Sequence, residues 1–228
     1  LRASHGENLV SVILYGSAAA GDFVPKQSDY NLLITLNEIT PKDLQKAQPC
    51  MREWRKLGHP VPVYFSLSEL QNASDVFPIE FHFMEIARKV LYGKDVLADI
   101  RISDEFLRHQ TEYELRSKLI RLRRAYIPAS VSVERLIDLM ADSLSNFASI
   151  FRAVLLLHGL TPPVKKHEII ALTVQELKIE GNSFETIFNM REDNFEKSLT
   201  EGAANDLFAE YMRQIESVIA AVNDIGKN

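Results

Sequence analysis

The chain is almost without cysteine. Cys50 is the only one in 228 residues, so no intrachain disulfide can form and a reducing compartment is expected. Positive charge is not in excess: 26 Lys and Arg against 31 Asp and Glu leave a formal net charge of −5. That balance argues against broad electrostatic binding to nucleic acid, although a local basic patch could still act. Long apolar runs are missing too. Stretches such as Val154 to Leu157 are far too short to span a bilayer, and Leu1-Arg2-Ala3-Ser4-His5 has no apolar region of the signal-peptide kind. The histidines are scattered, and His59, His82 and His167 do not share metal-ligand spacing with a cysteine or with one another. No internal repeat or low-complexity segment is present. With 46% apolar and 25% charged residues, the composition is that of a globular protein of one large or two small domains. The expected location is the cytoplasm, with no membrane partner.

The most informative stretch is Leu14-Tyr15-Gly16-Ser17, followed by Ser28-Asp29-Tyr30-Asn31-Leu32-Leu33-Ile34. The apolar run Leu9, Val10, Val12, Ile13, Leu14 predicts a short buried strand ending at Gly16-Ser17. A turn of small residues, Ala18 to Gly21, leads toward a second strand carrying Asp29 and Asn31. Side chains alternate along a strand, so these two polar groups are expected on one face beside the Gly-Ser turn. Free backbone N–H groups in a glycine turn can cradle phosphates, and a polar pair on the next strand can hold Mg²⁺ against them.

At these residues the chain resembles the nucleotidyltransferase superfamily that includes DNA polymerase beta and the aminoglycoside adenylyltransferases. Its signature is an apolar strand ending in Gly-Ser, a spacer, then Ser-Asp-x-Asp inside an apolar strand. Gly16, Ser17, Ser28 and Asp29 match it, whereas the second aspartate falls on Asn31. The resemblance implies transfer of a nucleoside monophosphate from a nucleoside triphosphate, ATP above all, to a hydroxyl on a small molecule or protein. Gly16, Ser17 and Ser28 would hold the nucleotide, and Asp29 and Asn31 would hold Mg²⁺ as the catalytic metal site. The family's third carboxylate comes from a later strand, yet the third-strand candidate Val61 to Ser66 contains no acid. Developing charge on the phosphoryl oxygens is offset chiefly by dications held by several carboxylates. Losing one charged ligand costs roughly 3 kcal/mol, equivalent to about 10²-fold in rate. Glu80, Glu85 and Asp22 could refill the site from other elements. A non-catalytic nucleotide-sensing or partner-binding module is therefore the alternative.

Further along, Thr40-Pro41 opens a helix with Leu44, Ala47, Met51, Trp54 and Leu57 as its apolar stripe, and Pro49 predicts a kink or break within it. Val61 to Leu67 reads as a strand, Ser68 as the cap of a short helical turn, and Lys89 to Tyr92 as the last strand. Phe77 to Ala87 has no clear period. From Ser103 the texture becomes that of long helices: Phe106 to Tyr126, stopped by Pro128; Val133 to His158, closed by Gly159; Thr161 to Leu177; Phe184 to Met190; and Ala203 to about Val222. The expected fold is α+β: a small mixed β-sheet nucleotidyltransferase domain over residues 1–100, followed by an all-α antiparallel helical bundle over 101–228. An apolar face of that bundle could serve a homodimer.

Arg116 and Arg123, seven residues apart, nearly eclipse on a helix and are candidates to grip the triphosphate. Pairing of this basic face with Glu112 and Glu114 is the competing explanation. Arg152 and His158 form an Arg-x5-His pattern resembling the catalytic motif of HEPN ribonucleases, but at ~100° per residue they stand about 120° apart.

Overall fold

The computed structural model describes residues 1–20, 30–163, 165–193 and 199–225. It divides the chain into two compact units, Leu1–Phe106 and Leu107–Asn228. The architecture is α+β, with a small mixed sheet in the first unit and helices throughout the second.

The first unit runs α1 (Arg2–His5), a 3-10 turn (Gly6–Asn8), β1 (Leu9–Tyr15), α2 (Ser17–Ala20), β2 (Asn31–Leu36), α3 (Pro41–Lys56), β3 (Val63–Ser66), α4 (Leu67–Asn72), α5 (Pro78–Ile86) and β4 (Arg88–Gly93). The sheet order is β3-β2-β1-β4, with β2 and β3 parallel and β1 antiparallel to both neighbours. Both sheet faces are covered. Ile13 and Leu33 pack with Leu70 of α4 and Phe81 and Met84 of α5, whereas Leu9, Val12, Leu32, Ile34 and Leu36 pack with Trp54 of α3 and Tyr64. Each fully buried aliphatic side chain contributes about 1.5–3 kcal/mol, so alternation along β1 and β2 fixes which residues face α4–α5 and which face α3.

Several element ends differ from expectation. The helix α3 continues through Pro49 without a break; Pro49 is exposed, so the carbonyl its ring leaves without a donor can turn to water. The cap of α4 is Ser66, not Ser68, because Glu69 closes a reciprocal box with it: the Ser66 N–H donates to Glu69 Oε2 at 2.8 Å and the Glu69 N–H to Ser66 Oγ at 3.2 Å. The unassigned stretch is α5, begun by Pro78 at its first position.

Thr40 caps α3. Its Oγ1 accepts from the Asp43 N–H at 3.3 Å and donates to Asp43 Oδ2 at 2.5 Å, while Lys46 lies 3.2 Å from Oδ1. The Thr40 hydroxyl first, and then Lys46, hold the Asp43 carboxyl down at about 2 against an ordinary 3.8. A carboxyl lowered by folding stabilises the native state above its unfolded pKa, and that contribution is lost as pH falls from 3.8 toward about 2. In Thr40→Val the Asp43 titration, followed by carbon-13 NMR, is expected to move back up toward the ordinary value. An unchanged midpoint would show that Thr40 is not the cause.

The second unit is built from α6 (Asp104–Ala129, whose first turn belongs to the first unit), α7 (Val133–Leu157), α8 (Lys166–Leu177), α9 (Asn182–Asp193) and α10 (Glu201–Asp224). The helix α6 passes through Pro128 and ends one residue later. The next helix, α7, ends at Leu157 and is capped by His158, with Gly159 following at φ +72°. Phe147, Phe151, Phe184 and Tyr211 are wholly buried at the centre. The Tyr211 hydroxyl is satisfied by Ser143 Oγ at 2.9 Å, and burial pushes its phenol far up. The sequence reading found no apolar stretch fit for a bilayer. Among the described residues, however, α7 is long and apolar enough to cross one. Its Leu136, Met140, Phe147, Phe151 and Val154 are instead buried in the core of this unit.

Candidate functional site

The first residues singled out in the sequence lie where β1 ends. Its last residue, Tyr15, pairs with Asn31, the first residue of β2, and with Arg88, the first of β4. Gly16 follows at φ +79°, a conformation that L side chains rarely adopt. Its own N–H is not free, because it donates to the Ala87 carbonyl at 3.1 Å. The bend is thus tied to the sheet, and Ser17 starts the short turn α2 rather than an open loop. In the turn that follows, the Ala19 N–H already donates to the Gly16 carbonyl at 2.9 Å, which leaves the Ser17 and Ala18 N–H groups ahead of it without a partner inside the turn.

A β-carbon placed on Gly16 would lie 3.6 Å from Asn31 Nδ2. That distance sets the Asn31 amide directly against the bend, on the sheet face shared with Ile13, Tyr15 and Leu33. Ser28 and Asp29 lie outside the described residues, as does Asp22. The neighbouring strand β3 supplies Val63, Tyr64, Phe65 and Ser66, none of them acidic. Among the described residues, no three His, Cys, Asp or Glu side chains come together as a metal site.

Among the described residues, Glu80 acts on this face through its charge. Burial, and secondly the negative charge of Glu80, push the Tyr15 phenol above its ordinary value. Glu80 sits in the first turn of α5, the helix whose Phe81 and Met84 pack on the Ile13–Leu33 face. Sequence reasoning named Glu80 only as one of three acids able to refill the site. Its placement depends on α5, a segment with no readable period. Glu85 instead belongs to a peripheral group, 3.8 Å from His82 Nδ1 and with its carbonyl accepting from Arg88 at 3.3 Å.

The two arginines expected to grip phosphate have carboxylate partners within the second unit. Arg116 Nε lies 2.8 Å from Glu112 Oε1, and Arg123 Nη2 lies 2.6 Å from Glu216 Oε1. Both are about half exposed, so each pair contributes well under about 1 kcal/mol and leaves the guanidinium available. His158 Nδ1 lies 3.4 Å from Glu176 Oε1. Arg152 is half-buried in α7, and burial lowers its pKa.

Because 3.6 Å is an ordinary contact, alanine at Gly16 meets no overlap with Asn31 and strains only the backbone. Gly16→Ala is expected to destabilise the first unit by about 1–2 kcal/mol in urea unfolding, with Gly16→Asn recovering part of the loss. Equal stability of the alanine variant and the wild type would show that the bend does not need this conformation.

No protein-family model matches the chain, and no curated protein matches it in sequence. Among solved structures it is similar to spectinomycin adenyltransferase AAD(9) from Enterococcus faecialis, determined with ATP and spectinomycin. The two share 14% identity and a TM-score of 0.61, over 98% of this chain and 95% of the other. The chain therefore has a nucleotidyltransferase fold of the aminoglycoside adenylyltransferase kind.

Proposed function

We propose that the chain binds a nucleoside triphosphate, ATP by preference, at the Gly16 bend and transfers its nucleoside monophosphate slowly to a hydroxyl acceptor, whose oxygen bonds to the α-phosphorus as the bond to the β-phosphate breaks and pyrophosphate leaves. The observation that carries this reading is the Asn31 amide held against Gly16, where the motif strand meets the phosphate bend. ATP as nucleotide and a small hydroxyl compound as acceptor are supported by the solved neighbour, which was determined with ATP and spectinomycin. Ser17 would meet phosphate oxygens from the start of α2. By the motif, Asp29 would supply one anionic oxygen ligand, and the Asn31 carbonyl oxygen a neutral one.

These hard oxygen donors fit one Mg²⁺ carried on the triphosphate, an ion that keeps most of its ligands as water and phosphate oxygen. They do not fit a cage of three carboxylates around two ions, because β3 brings no acid. When bound, the ion would offset charge on the triphosphate. The chain's own part is to orient that triphosphate against the rigid end of β1. The thin donor set also favours a second reading, a module that binds nucleotide and does not transfer it.

Calorimetric titration with ATP, with and without Mg²⁺, alongside transfer from radiolabelled ATP, tests both. Mg²⁺-dependent binding with slow transfer is the expected result. Binding with no transfer at all selects the second reading, and no binding overturns both.

A further inference from the structure

Three rings pack together beside the motif strand. The Tyr30 and His59 rings meet edge to face at 4.7 Å between centroids, His59 and Trp54 are tilted at 4.7 Å, and Tyr30 and Trp54 stand 6.4 Å apart. The indole N–H of Trp54 donates to the Pro60 carbonyl at 2.7 Å. Trp54 lies in the last turn of α3, His59 and Pro60 in the connection to β3, and Tyr30 directly before β2. Gly58 makes the return possible, at φ +90° with open space around it. In the sequence Trp54 belongs to an apolar stripe and His59 is one of the scattered histidines.

From this we infer that Trp54 and His59 are positioning residues for the nucleotide site: they clamp Tyr30 and so fix the direction in which Asn31 presents its amide. The inference rests on the reading that the Gly16–Asn31 corner binds nucleotide. The physical link is strand alternation. Tyr30 and Asn31 are adjacent, so their side chains leave the backbone on opposite sides. The Tyr30 ring goes to the side of Trp54, and Asn31 to the side of Gly16 and Tyr15. Holding one ring therefore sets the rotation of the peptide that aims the other side chain. Aromatic pairs in this geometry add about 0.5–1.5 kcal/mol each beyond their burial. Two such contacts on one imidazole, closed by the indole hydrogen bond, leave Tyr30 little freedom.

Positioning errors near 1 Å are worth up to about 10²-fold in a reaction, and more modest losses are expected in binding. In His59→Ala, the factor by which Mg²⁺ tightens ATP binding should shrink about tenfold by calorimetry, while ATP affinity without Mg²⁺ stays near wild type. Trp54→Phe, which keeps a ring but loses the bond to Pro60, should retain most of that factor, and Trp54→Ala should lose it. Far-UV circular dichroism and a thermal melt confirm that each variant is folded at the assay temperature. A clamp that only adds stability would lower the melting temperature and leave the Mg²⁺ factor unchanged in every variant, which overturns the inference. Trp54 is also the only tryptophan, so its emission in the wild-type protein should shift when Mg²⁺ and ATP are added together. Wild-type protein that binds ATP with no change in emission counts against the coupling. Wild-type protein that binds no ATP removes the proposed function itself, a different failure.

Discussion

Alanine in place of Gly93 is expected to destabilise the N-terminal unit by about 3 kcal/mol or more. Gly93 ends β4 at φ +75°, opposite Ser11 of β1. A β-carbon there would lie 1.9 Å from the Val10 carbonyl oxygen and 3.0 Å from its carbon. Both are backbone atoms of a strand paired on both edges, so no side-chain rotation can relieve the overlap. The chain is also pinned on either side, since Ser11 Oγ donates to the Lys94 carbonyl at 2.7 Å and contacts the Tyr92 carbonyl at 3.3 Å. Relief has to come from parting β4 from β1, which sacrifices ladder hydrogen bonds as well. Gly16 provides the control: its φ is similarly positive but its β-carbon would meet Asn31 Nδ2 only at an ordinary 3.6 Å, so the difference between the two alanine variants isolates the steric part. Urea unfolding of Gly93→Ala within 1 kcal/mol of wild type would refute the close approach of β4 to β1.

Short-range features of the chain are legible in its residues, and long-range ones are not. The strands β1 and β2 were legible because each is a short run of apolar residues written consecutively in the chain, and the adjacency of Gly16 and Asn31 follows from the pairing of the two strands. The cap of α4 was legible in principle: Ser66 and Glu69 have the box spacing that Ser68 lacks. In α5 the run Pro-Ile-Glu-Phe-His-Phe-Met-Glu-Ile is apolar on too many sides for any face to stand out, and the position of Glu80 was hidden with it. The cluster of Tyr30, Trp54 and His59 joins residues from three segments, and its formation depends on the return at Gly58. For the second unit the helices were legible by period. Their ends moved by a few residues: α8 starts at Lys166 rather than Thr161, and α10 extends to Asp224. Ser28 and Asp29, central to the motif, lie outside the described residues, so their part in the site rests on the sequence pattern.

Asn31→Asp is expected to raise nucleotidyl transfer by about 10²-fold, the converse of losing one charged ligand. The two side chains are nearly isosteric, and the strand pairing of Asn31 with Tyr15 involves only backbone, so the sheet has no reason to move. What changes is charge. An added carboxylate at the Gly16 corner sits near the Tyr15 phenol, which burial, and secondly Glu80, already bias toward its neutral form. Without Mg²⁺ the new anion repels the triphosphate, so ATP affinity should fall. With Mg²⁺ the same anion becomes a ligand, and affinity and transfer should both rise. This opposite response to the metal separates ligation from any general change in stability or shape, which would move both affinities the same way. If Asn31→Asp transferred no faster and its ATP affinity responded to Mg²⁺ as the wild type does, Asn31 would not face the metal. The thin donor set would then be no explanation for slow transfer, and the non-catalytic reading would stand on other grounds.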